Sequence, residues 1–209
     1  MATKKNPSLL IRGAFITLDE LVTSLGLGKT MKVLSRLAKI NAAGGAFAGL
    51  PPTDQRMQDS RDQIALAVNL YQSLLAVTDE ATAYKLTRRI VLLSSVMLLR
   101  SVYPSFEGGD FTKLVKDGDP RKASARLAQE FPFADTEPQE MTRETAGFDV
   151  TLCRIPLVLK EIGCERLAPI FCEVDAIYFP IYAPEVVMSR TETLVHGGSR
   201  CDFRFRYRT

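Results

Sequence analysis

The stretch 186-VVMSRTETLVHGGSRCDFRFRYR-208 decides the fold class. Two runs of strand-forming residues flank His-Gly-Gly-Ser, and a Gly-Gly pair between such runs predicts an antiparallel hairpin. In the second run Cys201, Phe203, Phe205 and Tyr207 alternate with arginines. Period two places the cysteine and the aromatic rings on one face and Arg200, Arg204, Arg206 and Arg208 on the other. That pattern predicts a buried face backed by a solvated one, with anion binding by the arginines as the alternative.

Upstream of the hairpin the texture stays mixed. "FDVTLCRI" (148–155) reads as a strand, and "PLVLKEIG" (156–163) as a short helix begun by Pro156 and stopped by Gly163. "RLAPIFCEVDAIYF" (166–179) reads as a second helix, with Leu167, Ile170, Phe171, Val174 and Tyr178 on its core stripe. Residues 107–147 are polar and turn-rich, with one short helix, "DPRKASARLAQEF" (119–131), that Asp119 would cap and Pro120 would open. A lid, a linker and a domain junction all fit this segment.

The first 106 residues read as helical. Leu18 to Ile40 carries a helical period interrupted near "GLGKT", and "NAAGGAFAGLPPTD" (41–54) breaks it. Asp59 and Ser60 would cap a helix, "RDQIALAVNLYQSLLAV" (61–77), with Ile64, Val68, Tyr71 and Leu75 on one stripe. After Thr78 and Asp79 another helix runs to about Val102 and stops before Pro104; its apolar middle predicts a central, buried position. The expected architecture is α+β: a helical N-terminal half packed on a C-terminal antiparallel sheet with two helices. The divisions are a helical region (1–106), a polar linker or lid (107–146) and an α+β region (147–209). The first and last are expected to form one compact unit.

Composition narrows the function classes. The 209 residues are 46% apolar, enough to bury a substantial core, and 24% are charged with a formal net charge of +3. That balance argues against a nucleic-acid partner, which calls for a clustered basic face. The most apolar run, Ile90 to Leu99, is about half of what a bilayer span needs, and the start shows no signal-peptide pattern. A cytoplasmic protein without membrane attachment is expected. The four cysteines, Cys153, Cys164, Cys172 and Cys201, all fall in the last third, at spacings of 11, 8 and 29 that match no zinc pattern. "LGLGKT" (25–30) mimics a phosphate-binding loop, but the required glycine is Thr23 and the preceding residues read as helix rather than strand. A helix stop at Gly26 and Gly28 is the better reading.

The chemistry-bearing residues converge on Cys172. Cys172 and Asp175 lie three residues apart, about 60° from each other around a helix axis. Pro169 fits near the helix start, so Cys172 falls in or just after the first turn, where the helix dipole would lower its pKa. A thiolate, a carboxylate and the sole histidine, His196, make a workable nucleophile, acid–base and orienting set. The competing reading is that Cys172 fills core space, as free cysteines commonly do, and that His196 is simply exposed at a hairpin tip. Cys172, Asp175, His196 and Cys201 are also ligand types for a metal, although no metal and no cofactor are expected.

These same residues carry a family resemblance. The "FDVTLC" strand ending in Cys153, the "FCEVD" helix with Cys172 and Asp175, and the hairpin "T-L-x-x-G-G-x-x-C-D-F-R-F" with Thr193, Gly198, Cys201 and Phe203 occur in that order. Over residues 147–206 the chain resembles the L-2-amino-thiazoline-4-carboxylic acid hydrolase family. It also shows a more distant likeness to four-vinyl-reductase type small-molecule-binding domains. The resemblance implies hydrolytic opening of a small sulfur- and nitrogen-containing ring, giving an N-carbamoyl cysteine from the thiazoline carboxylate. The more distant relatives imply a metal held by a cysteine pair in the last hairpin; here "SRTETLV" lacks the second cysteine, so that site is not expected.

The implied reaction assigns roles. Cys172 would be the nucleophile and Asp175 an acid–base or an anchor for the amidine, with His196 as the third catalytic candidate. Amides near Gly197 and Gly198 would stabilise negative charge, and Arg190 would grip a substrate carboxylate. Cys153, Thr191, Thr193 and Cys201 complete the substrate-binding set. The partner implied is a small-molecule substrate, with a homo-oligomer left open. A cyclase or isomerase in secondary-metabolite biosynthesis, and a non-catalytic small-molecule-binding domain, are the alternative functions.

Overall fold

In the computed structural model, residues 7–102, 111, 133–139 and 141–208 are described. Three long helices come first: α1 (Pro7–Ala42), α2 (Gln55–Leu75) and α3 (Glu80–Val102). The predicted break in α1 is real and sits at Gly26, whose φ of 75° and ψ of 164° interrupt the helix. Only glycine occupies that region without strain. The Thr30 hydroxyl donates to the Gly26 carbonyl at 2.8 Å, just past the break. This is a helix junction, and its residues are spent on backbone geometry.

The cap of α2 differs from expectation. Asp54, beyond the proline pair, accepts the Met57 amide at 2.9 Å, so the helix starts earlier than Asp59. Asp59 instead accepts from Gln55 Nε2 at 2.7 Å, and Ser60 donates to the Arg56 carbonyl at 2.6 Å, both within the helix. Ile64, Val68, Tyr71 and Leu74 make the buried stripe, whereas Leu75 is 41% exposed. Asp79 accepts the Thr82 amide at 2.9 Å as α3 begins, and the middle of α3 buries Ile90, Val91, Leu92 and Val96.

The C-terminal part is a four-stranded antiparallel sheet with two helices, so the protein is α+β. The strands are β1 (Ala134–Pro138), β2 (Thr145–Cys153), β3 (Val186–Ser189) and β4 (Cys201–Tyr207), in the order β1-β2-β4-β3. β1 lies in the segment expected to be linker. Its residues, Ala-Asp-Thr-Glu-Pro, lack apolar alternation and suit an edge position. Arg56 of α2 and Arg154 ion-pair with its Asp135, the latter at 3.0 Å. The helix expected over 119–131 lies outside the described residues.

β2 and β4 form the centre, with Phe148 opposite Phe203 and Val150 opposite Cys201. The Phe148 and Phe203 rings stack at 4.9 Å. Between β2 and β3 come α4 (Arg154–Lys160), a single 3₁₀ turn (Glu165–Leu167) and α5 (Ala168–Tyr182). Gly163 takes φ 65° after α4, and the Cys164 amide reaches back to the Leu159 carbonyl at 2.9 Å. That is the glycine-ended helix stop anticipated from the sequence.

The apolar face of β4 is as expected, with Cys201, Phe203, Phe205 and Tyr207 buried. On the other face Arg206 is exposed, but Asp202 is buried and Arg204 is half-buried and ion-pairs with Asp149 at 2.7 Å. The hairpin is different. β3 stops at Ser189, paired with Arg204, and an eleven-residue excursion (190–200) replaces the tight Gly-Gly turn. A 3₁₀ turn (Leu194–His196) sits inside it. The cause is a side chain that outcompetes the ladder, described with the site.

Candidate active site

Residues of α2, α3, α5 and strands β1, β2 and β4 line a cavity of about 170 Å³. Cys172 and Asp175 reach it from α5, as their three-residue spacing requires. Cys153 reaches it from the end of β2 and Cys201 from the start of β4. Arg190 enters from the excursion. The apolar wall includes Ile64 of α2, Leu99 of α3 and Phe203 of β4. The helical half is therefore part of the site.

Arg190 makes three contacts in this cavity. Its guanidinium lies 3.7 Å from the Asp175 carboxylate, donates to the Cys172 carbonyl at 3.1 Å and sits 5.0 Å above the Phe203 ring. Its side chain is only 13% exposed and that of Asp175 17%. A pair so shielded from water interacts more strongly than a surface pair. The cavity thus holds a cation and an anion side by side against a largely apolar wall.

The thiols lie far from the expected reactivity. Burial pushes the Cys172 thiol up to about 12; Cys153, Cys201 and Asp175 add to that rise while Arg190 opposes it. Cys172 is the fifth residue of α5, past the first turn, so withdrawal from water outweighs the helix dipole. Burial likewise raises Cys153 to about 11, against an amide bond from Ile155. Cys201 is raised by burial too, although it accepts the Leu194 amide at 3.3 Å. All three are thiols at neutral pH.

The excursion scatters the remaining candidates. Thr191 is exposed and its hydroxyl donates to Asp202 at 2.6 Å. Thr193 shares a 2.7 Å hydrogen bond with Nδ1 of His196, which is exposed and does not line the cavity. The Gly197 and Gly198 amides donate to the Leu194 and Thr193 carbonyls at 3.3 and 2.9 Å, so they are spent within the turn. The structure therefore gathers Cys172, Asp175, Arg190, Cys153 and Cys201, and leaves Thr191, Thr193, His196, Gly197 and Gly198 in the outer loop. Among the described residues no three histidine, cysteine or carboxylate side chains are grouped to hold a metal ion.

Two sets of residues escape sequence reasoning. Gln63 and Ser95 line the cavity from α2 and α3, and nothing in the helical period marks them. Asp202 is 8% exposed and accepts the amides of Thr191 and Glu192 at 2.9 and 2.8 Å. Its only sequence signal is a carboxylate standing where the alternation calls for a solvent-facing residue beside buried Cys201.

The model of the L-2-amino-thiazoline-4-carboxylic acid hydrolase family matches residues 63–205. Among solved structures, the Fe(II) unliganded H-NOX protein from K. algicida is similar, with a TM-score of 0.39 and 12% identity, over 94% of this chain and 95% of that one. A single-site mutant of that protein gives 0.37 and 13% over the same shares. No curated protein matches the chain. Among the described residues no helix is long and apolar enough to cross a membrane.

Proposed function

The chain belongs to the L-2-amino-thiazoline-4-carboxylic acid hydrolase family, and from that membership we propose that its cavity hydrolyses a small carboxylate-bearing heterocycle of the 2-aminothiazoline type. The observation that carries the reading is the meeting of Cys172, Asp175 and Arg190 in one largely apolar cavity. Its volume, about 170 Å³, lies below the roughly 300–1,000 Å³ of pockets for drug-sized ligands and suits a single substituted ring.

The substrate is a zwitterion-like molecule, an amidine at one end and a carboxylate at the other. Arg190 takes the carboxylate, for which its planar fork is suited. Asp175 receives the amidine N–H groups. Attack at the amidine carbon needs the Cys172 sulfur without its proton, and Asp175 is the neighbouring base. The raised thiol pKa sets the order of events: the thiol is the resting state, and a bound amidinium lowers the cost of the thiolate by placing a positive charge beside it.

The bonds then balance as follows. The Cys172 sulfur adds to the amidine carbon and its proton passes to Asp175. The ring C–S bond breaks, and Asp175 returns the proton to the departing sulfur. Water adds to the enzyme-bound isothiourea, and loss of the Cys172 thiol leaves a carbamoyl group on the substrate nitrogen. The sum is ring plus water to open product.

Incubation with 2-aminothiazoline-4-carboxylate, followed by mass spectrometry, tests this. A product one water heavier is expected. Cys172→Ser and Asp175→Asn are expected to lower kcat by roughly 10²–10⁴-fold, and Arg190→Lys to raise KM. Full activity in Cys172→Ser would overturn the nucleophile. A second reading, a non-catalytic binding domain, is favoured by the three neutral thiols; tight binding of the same compound without turnover would select it.

A further inference from the structure

We propose that Asp202 is a positioning residue that holds Arg190 in the cavity and thereby sets the preference for a carboxylate-bearing substrate. The second half of this inference rests on the reading of Arg190 as the carboxylate anchor; the first half does not. β3 leaves the ladder after Ser189, and the next residue is Arg190. Immediately beyond it, one Asp202 oxygen accepts the amides of Thr191 and Glu192 at 2.9 and 2.8 Å, and the other accepts the Thr191 hydroxyl at 2.6 Å. Three bonds to one buried carboxylate fix the backbone at the point where the arginine turns inward.

The adjacent residue completes the placement. Phe203 follows Asp202 on β4, and its ring lies 5.0 Å beneath the guanidinium. Successive residues of one strand thus hold the two ends of the arginine: Asp202 the backbone beyond its Cα, Phe203 the charged tip. Because strand side chains alternate in direction, the two act from opposite faces of the sheet. Burial opposes the charge on Asp202, but the Thr191 and Glu192 hydrogen bonds outweigh it and hold the carboxyl down at about 2. Glu192 adds a further tie, accepting the Ser199 amide at 3.0 Å and so closing the outer part of the excursion.

The first experiment uses the ligand-free protein. Phenylglyoxal modification of Arg190, followed by peptide mass spectrometry, reports how well the side chain is shielded. Asp202→Ala is expected to speed modification of Arg190 roughly tenfold or more, the loss expected when charged hydrogen bonds are removed. Asp202→Asn retains one acceptor oxygen and the side-chain volume, and should fall between the two. If Asp202→Ala does not fold, as judged by its thermal transition, Thr191→Val removes the hydroxyl bond alone and should give a smaller rise. An unchanged rate at Arg190 in a folded variant overturns the proposal.

The second experiment compares binding of 2-aminothiazoline-4-carboxylate with that of 2-aminothiazoline. Asp202→Ala should weaken the carboxylate roughly tenfold and leave the other compound unchanged, with Asp202→Asn restoring part of the difference. Equal weakening of both compounds would mean general damage and overturn the specificity role. If the wild type binds neither compound while Arg190 still becomes reactive in Asp202→Ala, the functional reading falls and the positioning role stands.

Discussion

Cys172 illustrates how position within a helix and exposure to water compete for one thiol. With its pKa pushed up to about 12 from a usual value near 9, it should react slowly with iodoacetamide in the native protein at pH 8. Labelling should accelerate on unfolding at the same pH, and in the native protein as pH rises toward 12; fast native labelling at pH 7 would contradict the burial argument. A thiol raised in this way favours the folded state fully below about 9 and loses that contribution as pH climbs from 9 to 12. Asp202 has the opposite sign. Its carboxyl is held near 2 against an ordinary 3.8, so its stabilisation is complete above about 4 and is lost as pH falls toward 2. Urea unfolding of wild type and Asp202→Asn should differ by about 2 kcal/mol at pH 6, with the gap narrowing at pH 3. The Cys172–Asp175 pair was legible because a helix period fixes which neighbours share a face. Asp202 was not, because its partners are two backbone amides and a hydroxyl that no spacing rule singles out. His196 invited a catalytic reading by its rarity, which says nothing about where a loop carries it.

Elements with a strong period were read from sequence almost to their ends: α3 finishes at Val102, and α5 follows the stripe through Tyr178 to Tyr182. The failures lie where a local rule met a tertiary competitor. The Gly-Gly signal was overruled by the Asp202 hydrogen bonds, in which a β4 side chain takes the Thr191 and Glu192 amides in place of the β4 backbone. β1 was hidden because an edge strand needs neither alternation nor β-branched residues once β2 supplies its hydrogen bonds. The cap of α2 moved upstream because Asp54, two residues after the proline pair, already presents a carboxylate to the first turn. Gly26 provides the test at this scale. Its conformation excludes a Cβ, so Gly26→Ala should cost about 1–3 kcal/mol, read as a lowered thermal midpoint with little change in helix content. A neutral or stabilising substitution would mean that the α1 junction is not held as described.

At the scale of the molecule, the apolar face of the sheet and the helices share one core. Phe179 of α5 is 1% exposed and meets Phe205 of β4 at 5.2 Å. Phe179→Ala should therefore destabilise the whole fold by about 3–5 kcal/mol in denaturant unfolding, in a single transition followed equally by helix and aromatic signals. Separate transitions would show that the helical half and the sheet fold independently. The α+β class and the packing of the helical half on the sheet were visible in the sequence because each half keeps its own period. The part α2 and α3 play in the cavity wall was not, since residues such as Ile64 and Leu99 look like ordinary core until the other wall is present. The strand order β1-β2-β4-β3 has a consequence during synthesis. β2 and β3 leave the ribosome before the strand that lies between them, so until β4 emerges β2 waits with an open edge and with Phe148 and Val150 uncovered. The nascent chain is most vulnerable to mispairing in that interval, and the arrival of β4 closes the sheet and the cavity together.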